Sequence, residues 1–387
     1  MTATDKKYPN TDPLLIAVES DQEMVARDGV TLRADIYHPI GGGKYPALVC
    51  RTPYQKLTPR YIEIATDLAQ RGYCIVVQDF RGRYASDGDY EWMWRERTET
   101  HDTEDGYDTI EWAADQAWSN GKVGMVGASH GGIVQNMASL YRPPHLAALW
   151  VDVAPTNAFR WEVRQGGAMA LHMYGALYLH GYDSQEIADD PAAIERIERG
   201  AERLSEEVWK QPFKEGETPI AVVPNLEKVL MHYYRDGAYN EWWQQESLDH
   251  AQHFDRMADI PAVYSSGWYD PFAADASEQF AHMTKQNTTP QRLILGPWNH
   301  VSMRGKGASH VGEVEFGESA FWGDVILNRE RFRWFDRWLK DIDTGVDDDD
   351  PVRIFVMGGG TGATADTGRI FHGGEWRTER EWPLKRA

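Results

Sequence analysis

The segment Gly127-Ala128-Ser129-His130-Gly131 constrains the fold more than any other part of this sequence. The apolar run KVGMV precedes it, and the helix-forming run IVQNMASLY follows it. Glycine on each side of the serine permits a turn so tight that larger side chains would collide. The segment therefore predicts a strand, a sharp turn and a helix, with the Ser129 hydroxyl raised above a sheet edge beside a helix N-terminus.

Strand-like and helix-like segments alternate along most of the chain. Apolar runs such as PALVC, YCIVV and LILG suit strands that are buried on both faces, and amphipathic runs such as DTIEWAAD lie between them. This alternation predicts an α/β fold with a parallel sheet covered by helices. Strand-like runs nearly vanish between about residues 156 and 260, which predicts a helical insertion. We expect a catalytic core over residues 20–157 and 259–345, a helical cap over 158–258, and the start of a C-terminal β segment over 351–387.

A serine hydroxyl needs a base before it can act as a nucleophile at neutral pH. Asp270 follows the strand-like run PAVYSSGWY, and His300 follows RLILGPWN. The order serine, acid, histidine is that of the α/β-hydrolase fold, which places such residues where parallel strands end. We predict Ser129 as nucleophile, His300 as base and Asp270 as the acid that orients the base. His130 competes for the role of base, although its side chain should point away along the turn and line the pocket.

Acyl transfer also needs two hydrogen-bond donors for the developing oxyanion. The backbone N–H of His130, directly after the nucleophile, is predicted to be the first. The second is expected in the loop 51–54, after the first long buried strand. Neither a cofactor nor a metal is expected, because the acidic run 347–350 is typical of a solvated linker, and His250 and His253 lack the spacing of a zinc motif.

Charge and cysteine content limit the partners. The net charge of −20 disfavours binding to nucleic acid and to acidic lipid headgroups. The two cysteines, Cys50 and Cys74, lie in apolar runs and are expected to be buried thiols. With no apolar run of signal-peptide or membrane-spanning type, a cytoplasmic location is expected. A small-molecule ester or amide is the expected partner, and a homo-oligomer is left open.

Several motifs together resemble the cocaine-esterase and X-Pro dipeptidyl-peptidase-like serine hydrolases, which also include α-amino-acid ester hydrolases and glutaryl-cephalosporin acylases. The matching stretches are DGVTLRADIYHP, RTPYQK, GYCIVVQDFRGRYASDGDY, GKVGMVGASHGG, GWYDPF, GPWNH and VRIFVMG. The resemblance implies an α/β-hydrolase fold and the same three residues as a triad. It also implies that the Tyr54 hydroxyl is the second oxyanion donor, and that Asp79 and Arg81 are structural.

The sequence departs from this family in three places. Family members usually carry tyrosine after the nucleophile, where this chain has His130. The α-amino-acid ester hydrolases carry extra carboxylates after the catalytic acid, where this chain has Pro271-Phe272-Ala273, so specificity for an α-ammonium group is not expected. Family members generally continue into a C-terminal jelly-roll, which we expect to be missing or only begun here.

The sequence thus predicts a serine hydrolase that cleaves a carboxylic ester or amide through an acyl-enzyme. One alternative is an exopeptidase that releases X-Pro dipeptides, which would need a cap carboxylate such as Glu162 to hold a substrate ammonium. A β-lactam side-chain acylase is a further alternative. A binding protein without catalytic activity is the remaining one, although the joint presence of Ser, Asp and His argues against it.

Overall fold

A computed structural model describes residues 12–90, 92, 101–301 and 308–385. Its centre is a ten-stranded sheet with the strand order β1-β2-β4-β3-β5-β6-β7-β8-β11-β13. These strands are β1 Ile16–Val25, β2 Thr31–Pro39, β3 Tyr45–Thr52, β4 Cys74–Asp79, β5 Ser119–Ala128, β6 Leu146–Asp152, β7 Ala262–Tyr269, β8 Gln291–Asn299, β11 Val352–Met357 and β13 Gly374–Glu379. A separate small sheet contains β9 His310–Val311, β10 Val314–Glu315 and β12 Ile370–Phe371.

The seven strands from β4 to β11 run parallel, and antiparallel strands flank them at both edges. The parallel strands read as apolar runs because helices cover both of their faces. Strands β1 and β2 form the hairpin that Asp28-Gly29 predicts, with Gly29 at a φ of +91° in the turn. The mixed, mostly parallel sheet confirms the predicted α/β-hydrolase class.

Five helices cover the two faces of the sheet. These are α1 Pro59–Gln70, α2 His101–Asp115, α3 His130–Leu140, α8 Ala273–Gln286 and α9 Asp324–Lys340. Helices α1 and α9 contribute Leu68 and Phe335 to the apolar cluster on one face. Helices α2, α3 and α8 contribute to the cluster on the other face, including Ile110, Val134 and Phe280. The sheet is therefore enclosed between two apolar layers.

A helical segment connects β6 to β7. Its helices are α4 His172–Tyr182, α5 Pro191–Glu202, α6 Leu204–Glu207 and α7 Pro224–Arg235, accompanied by short turns from Ala158–Val163 to His250–Arg256. Residues 153–261 are all described and none lies in a strand, apart from a single bridge between Asn157 and Asp249. Tyr174 and Leu230 join the same apolar cluster as α3 and α8. We propose that residues 158–258 form a cap on the core.

The C-terminal β segment differs from its predicted form. Strand β11 lies parallel to β8, with Val352 opposite Leu293, and β13 adds at the edge in the antiparallel direction. Helix α9 supplies the connection from β8 to β11, as parallel neighbours require. Strands β11 and β13 therefore extend the main sheet, whereas the sequence predicted the start of a C-terminal β segment apart from the catalytic core. Within the described ranges, no helix combines the length and apolar character needed to cross a bilayer.

Candidate active site

Ser129 lies in the turn between β5 and α3. Its φ of 59° and ψ of −124° are outside the regions that residues other than glycine favour, so this backbone is strained. A Cβ atom at Gly127 would lie 2.8 Å from the carbonyl oxygen of Gly131, and one at Gly131 would lie 3.2 Å from that of Arg51. The Ser129 N–H donates to the Asp152 carbonyl of the neighbouring strand at 2.9 Å. The turn, which is pinned to the sheet, therefore requires glycine at 127 and leaves little room for a side chain at 131.

The structure brings the three predicted triad residues together. Strands β7 and β8 are parallel neighbours that end at Tyr269 and Asn299, so Asp270 and His300 follow them side by side. His300 Nε2 lies 3.1 Å from Ser129 Oγ, and His300 Nδ1 lies 2.8 Å from Asp270 Oδ2. One imidazole thus connects the hydroxyl to the carboxylate.

The surroundings of Asp270 fix the acid and the histidine. The Asp270 side chain is fully buried, and its Oδ1 accepts a hydrogen bond from the Phe272 N–H at 2.8 Å. The Phe272 ring meets the His300 ring edge-on, with centroids 5.3 Å apart. With Asp270 as acceptor, the His300 proton is held on Nδ1 and the Nε2 lone pair faces Ser129 Oγ. This is the arrangement that a general base needs.

Tyr54, in the loop after β3, places its hydroxyl 3.5 Å from Ser129 Oγ. A hydrogen bond within the loop holds Tyr54 in place: the Tyr54 N–H donates to Thr52 Oγ1 at 2.9 Å. The Lys56 N–H donates to Asp79 Oδ1 at 2.7 Å, and burial raises the pKa of Asp79 to about 6. Asp79 therefore supports the loop that carries Tyr54.

His130 is the first residue of α3, so its backbone N–H is one of the four that the helix ladder itself does not use. Its ring is buried and meets the rings of Phe80 and Trp92 edge-on, at 4.9 and 5.4 Å. Burial, with the nearby charges of Arg51 and Arg83, lowers the pKa of His130 to about 3. The ring is therefore neutral and belongs to the packed wall, and His300 is the imidazole at Ser129 Oγ.

One cap residue, His172, and one core residue, Arg83, bear on the site in ways that the sequence did not indicate. His172, at the start of α4, has a pKa lowered first by burial and then by the charge of His300, so the start of α4 interacts electrostatically with the triad. Arg83, after β4, donates from Nε to the carbonyl of Pro53, directly before Tyr54, at 3.1 Å. No sequence motif around His172 indicates that it lies near the site. Arg83 could have been found from its position, because β4 is the parallel neighbour of β3.

Glu162, the carboxylate considered for an exopeptidase, lies within the turn Ala158–Val163 and is 5% exposed. Burial, followed by the charge of Asp275, raises its pKa to about 8. A carboxyl group that retains its proton near neutral pH does not suit the role of counter-ion to a substrate ammonium. In the part of the chain that the structure describes, no three His, Cys, Asp or Glu side chains gather as a metal site.

Comparison with known proteins places the chain in a family. The sequence model of the X-Pro dipeptidyl-peptidase (S15) family matches residues 28–302. The cocaine esterase of Rhodococcus sp. (strain MB1 Bresler) is 29% identical over 391 residues, covering 95% of this chain and 60% of that protein. The chain therefore spans about 60% of the length of this curated relative.

Solved structures share the fold. An aminopeptidase from a marine sediment Thaumarchaeota archaeon superposes with a TM-score of 0.68 at 24% identity, covering 98% of this chain and 61% of that one. An α-amino acid ester hydrolase superposes with a TM-score of 0.65 at 22% identity, with the same coverage. These likenesses and the family match confirm the resemblance noted in the sequence: this chain belongs to the X-Pro dipeptidyl-peptidase (S15) family.

Proposed function

We propose that the protein is a serine hydrolase that cleaves a carboxylic ester through an acyl-enzyme on Ser129. The observation that carries this proposal is the continuous contact from Ser129 Oγ through His300 to Asp270. The name of the Rhodococcus relative, an esterase, points to the same reaction class. The same chemistry extends to amides, because the leaving group is protonated by the same imidazole.

The reaction begins with attack of Ser129 Oγ on the substrate carbonyl carbon while His300 Nε2 takes the hydroxyl proton. Asp270 stabilises the imidazolium that forms. The Tyr54 hydroxyl and the His130 N–H donate to the oxyanion of the tetrahedral intermediate. Its collapse breaks the bond to the leaving group, which receives the proton from His300. Water activated by His300 then releases the acid from Ser129 by the same steps.

An X-Pro dipeptidyl-peptidase is the second candidate, and the family match is the observation that favours it. Such an enzyme must hold the free N-terminal ammonium of its substrate. Glu162 is buried, and Pro271 and Phe272 follow the triad acid, so neither position supplies an exposed carboxylate. These features favour the esterase.

A substrate panel separates the two candidates. Aryl esters of acetate, butyrate and benzoate should be hydrolysed, whereas Gly-Pro-p-nitroanilide should be cleaved poorly. Ser129→Ala should lower kcat on the esters by about 10⁴- to 10⁶-fold. Ser277→Ala, a serine on α8 that donates to the Ala273 carbonyl, is the matched control and should keep full activity. Ester hydrolysis that survives in Ser129→Ala would exclude the proposal, and cleavage of the anilide alone would favour the peptidase.

We further propose that the protein acts in the cytoplasm on a small molecule. Cys50 and Cys74 are both buried thiols, and burial raises the pKa of each to about 12, so both are unreactive. Unpaired thiols are typical of reducing compartments. The net charge of −20 favours neither nucleic acid nor an acidic membrane surface as a partner. Measurement of the mass in solution would decide whether the chain forms a homo-oligomer.

A further inference from the structure

Arg83 links two parts of the molecule that flank Ser129. Its side chain is 1% exposed, and its Nε donates to the carbonyl of Pro53 at 3.1 Å. That carbonyl belongs to the peptide group that leads into Tyr54, whose hydroxyl lies 3.5 Å from Ser129 Oγ. The Nε edge of the guanidinium therefore holds the loop that carries a proposed oxyanion donor.

The other donors of the same guanidinium hold the end of α4 in the cap. Nη1 donates to the carbonyls of His180 and Asp183, at 3.1 and 3.4 Å. Nη2 forms an ion pair with the Asp183 carboxylate, which also accepts from the Tyr84 hydroxyl. The last carbonyls of a helix receive no hydrogen bond from within the helix, and Arg83 supplies the donors that these carbonyls would otherwise lack. The planar fork of arginine allows all of these contacts at once.

The end of α4 also touches the ring of Tyr54. The His180 ring lies 5.3 Å from the Tyr54 ring, between centroids, and 4.1 Å from that of Trp92. His180 Nδ1 lies 3.0 Å from the Tyr90 hydroxyl, which fixes the imidazole. Tyr54 is thus held through its backbone by Arg83 and through its ring by His180. Both supports depend on the same junction between cap and core.

We propose that Arg83 is a positioning residue that makes the placement of the Tyr54 hydroxyl depend on docking of the end of α4, His180–Asp183, against the core. This proposal rests on the proposed hydrolase function. Undocking of the cap end removes the acceptors that orient Arg83, and Arg83 then no longer holds the Pro53 carbonyl. A displacement of about 1 Å at a catalytic group can cost about 10² in rate. The oxyanion site is therefore complete only when the cap end is docked.

A double-mutant cycle tests this coupling. Asp183→Ala removes the carboxylate that pairs with Arg83, and it leaves the carbonyls of His180 and Asp183 and the loop of Tyr54 in place. On an aryl ester it should lower kcat by about tenfold while KM changes by less than about twofold, since the interaction is needed chiefly in the transition state. The affinity for phenylboronic acid, which forms a tetrahedral adduct on the serine, should fall by the same factor. In a Tyr54→Phe background, Asp183→Ala should have almost no further effect on kcat.

Asp236→Ala is the matched control, because Asp236 is a cap carboxylate that pairs with His232 at 2.7 Å and has no contact with Arg83. It should leave kcat and boronate affinity unchanged. Arg83→Lys keeps the positive charge but loses the planar guanidinium, so it should lower kcat at least as much as Asp183→Ala. If the lysine variant does not fold, Asp183→Ala alone tests the coupling.

Two results would overturn the proposal. One is equal loss from Asp183→Ala in the presence and absence of the Tyr54 hydroxyl, since independent effects multiply. The other is an Asp183→Ala variant that melts earlier but keeps kcat and boronate affinity. Absence of fluorophosphonate labelling at Ser129 in the unmutated protein would instead overturn the proposed function, so the two failures are distinguishable.

Discussion

Asp270 Oδ2 lies 2.8 Å from His300 Nδ1, on a carboxylate that is completely buried. Asp270→Asn would keep the shape of the side chain but would present an amide that can hold the histidine in the wrong tautomer. We expect kcat on an aryl ester to fall by about 10⁴-fold with little change in KM. Steady-state kinetics across the pH range measures this.

The control for that substitution is a second aspartate–histidine pair in the cap. Asp236 Oδ2 lies 2.7 Å from His232 Nδ1, so Asp236→Asn makes the same chemical change away from Ser129. It should leave kcat unchanged. Equal losses in the two variants would mean that the Asp270 effect is a general consequence of disturbing the fold.

Tyr54→Phe removes the hydroxyl that lies 3.5 Å from Ser129 Oγ. Loss of one oxyanion donor should reduce kcat by about 10²- to 10³-fold, with KM nearly constant. Tyr45→Phe is the comparison, because the Tyr45 hydroxyl makes a long, exposed contact of 3.5 Å to the Gly42 carbonyl, away from Ser129. A Tyr54→Phe enzyme with normal kcat would remove Tyr54 from the oxyanion site.

Gly127→Ala tests the turn. The new Cβ would lie 2.8 Å from the Gly131 carbonyl oxygen, so the turn that carries Ser129 must shift. A shift of this kind should lower kcat by about 10²-fold or more even if the protein folds. Gly237→Ala, whose Cβ would meet its nearest neighbour, Arg164 Nη1, at 3.6 Å, should be neutral. Activity and circular dichroism of both variants should be measured together.

Much of this site could be predicted from the sequence, because the elements that carry it are specified locally. The glycines around Ser129 fix the turn, and adjacent parallel strands place Asp270 and His300 at one edge. The contribution of His172 could not be predicted, since helical periodicity in the cap does not say how α4 docks on the core. The same holds for the contact of Arg83 with Asp183, which joins residues 100 positions apart. The place of β11 beside β8 could not be predicted, because the acidic linker 347–350 before β11 does not show with which strand it pairs.

Burial of Glu162 should make stability depend on pH. Its pKa is raised to about 8 in the folded chain, by burial first and then by Asp275. Between the ordinary glutamate value and this raised value, the folded state holds a proton that the unfolded state has lost. The free energy of unfolding therefore decreases as pH rises through this window, by about 1.4 kcal/mol per pH unit for one group.

Glu162→Gln removes this group from the titration. Relative to the unmutated protein, the variant should gain about 3 kcal/mol in unfolding free energy between pH 5.5 and pH 8.5. Urea denaturation at the two pH values measures it, with the exposed Glu195→Gln as control. The unfolding free energy of the variant should still decrease with pH, because the pKa of Asp275 is also raised to about 8. An identical pH profile for both proteins would contradict the assignment.

The most direct test of the catalytic account is the site at which an activated phosphonate reacts. After incubation with a fluorophosphonate and proteolysis, mass spectrometry should find the phosphonyl group on Ser129 and on no other serine, and His300→Ala should label more slowly by about 10³-fold or more. Folded protein that is not labelled at Ser129, or that is labelled equally fast without His300, would contradict the account.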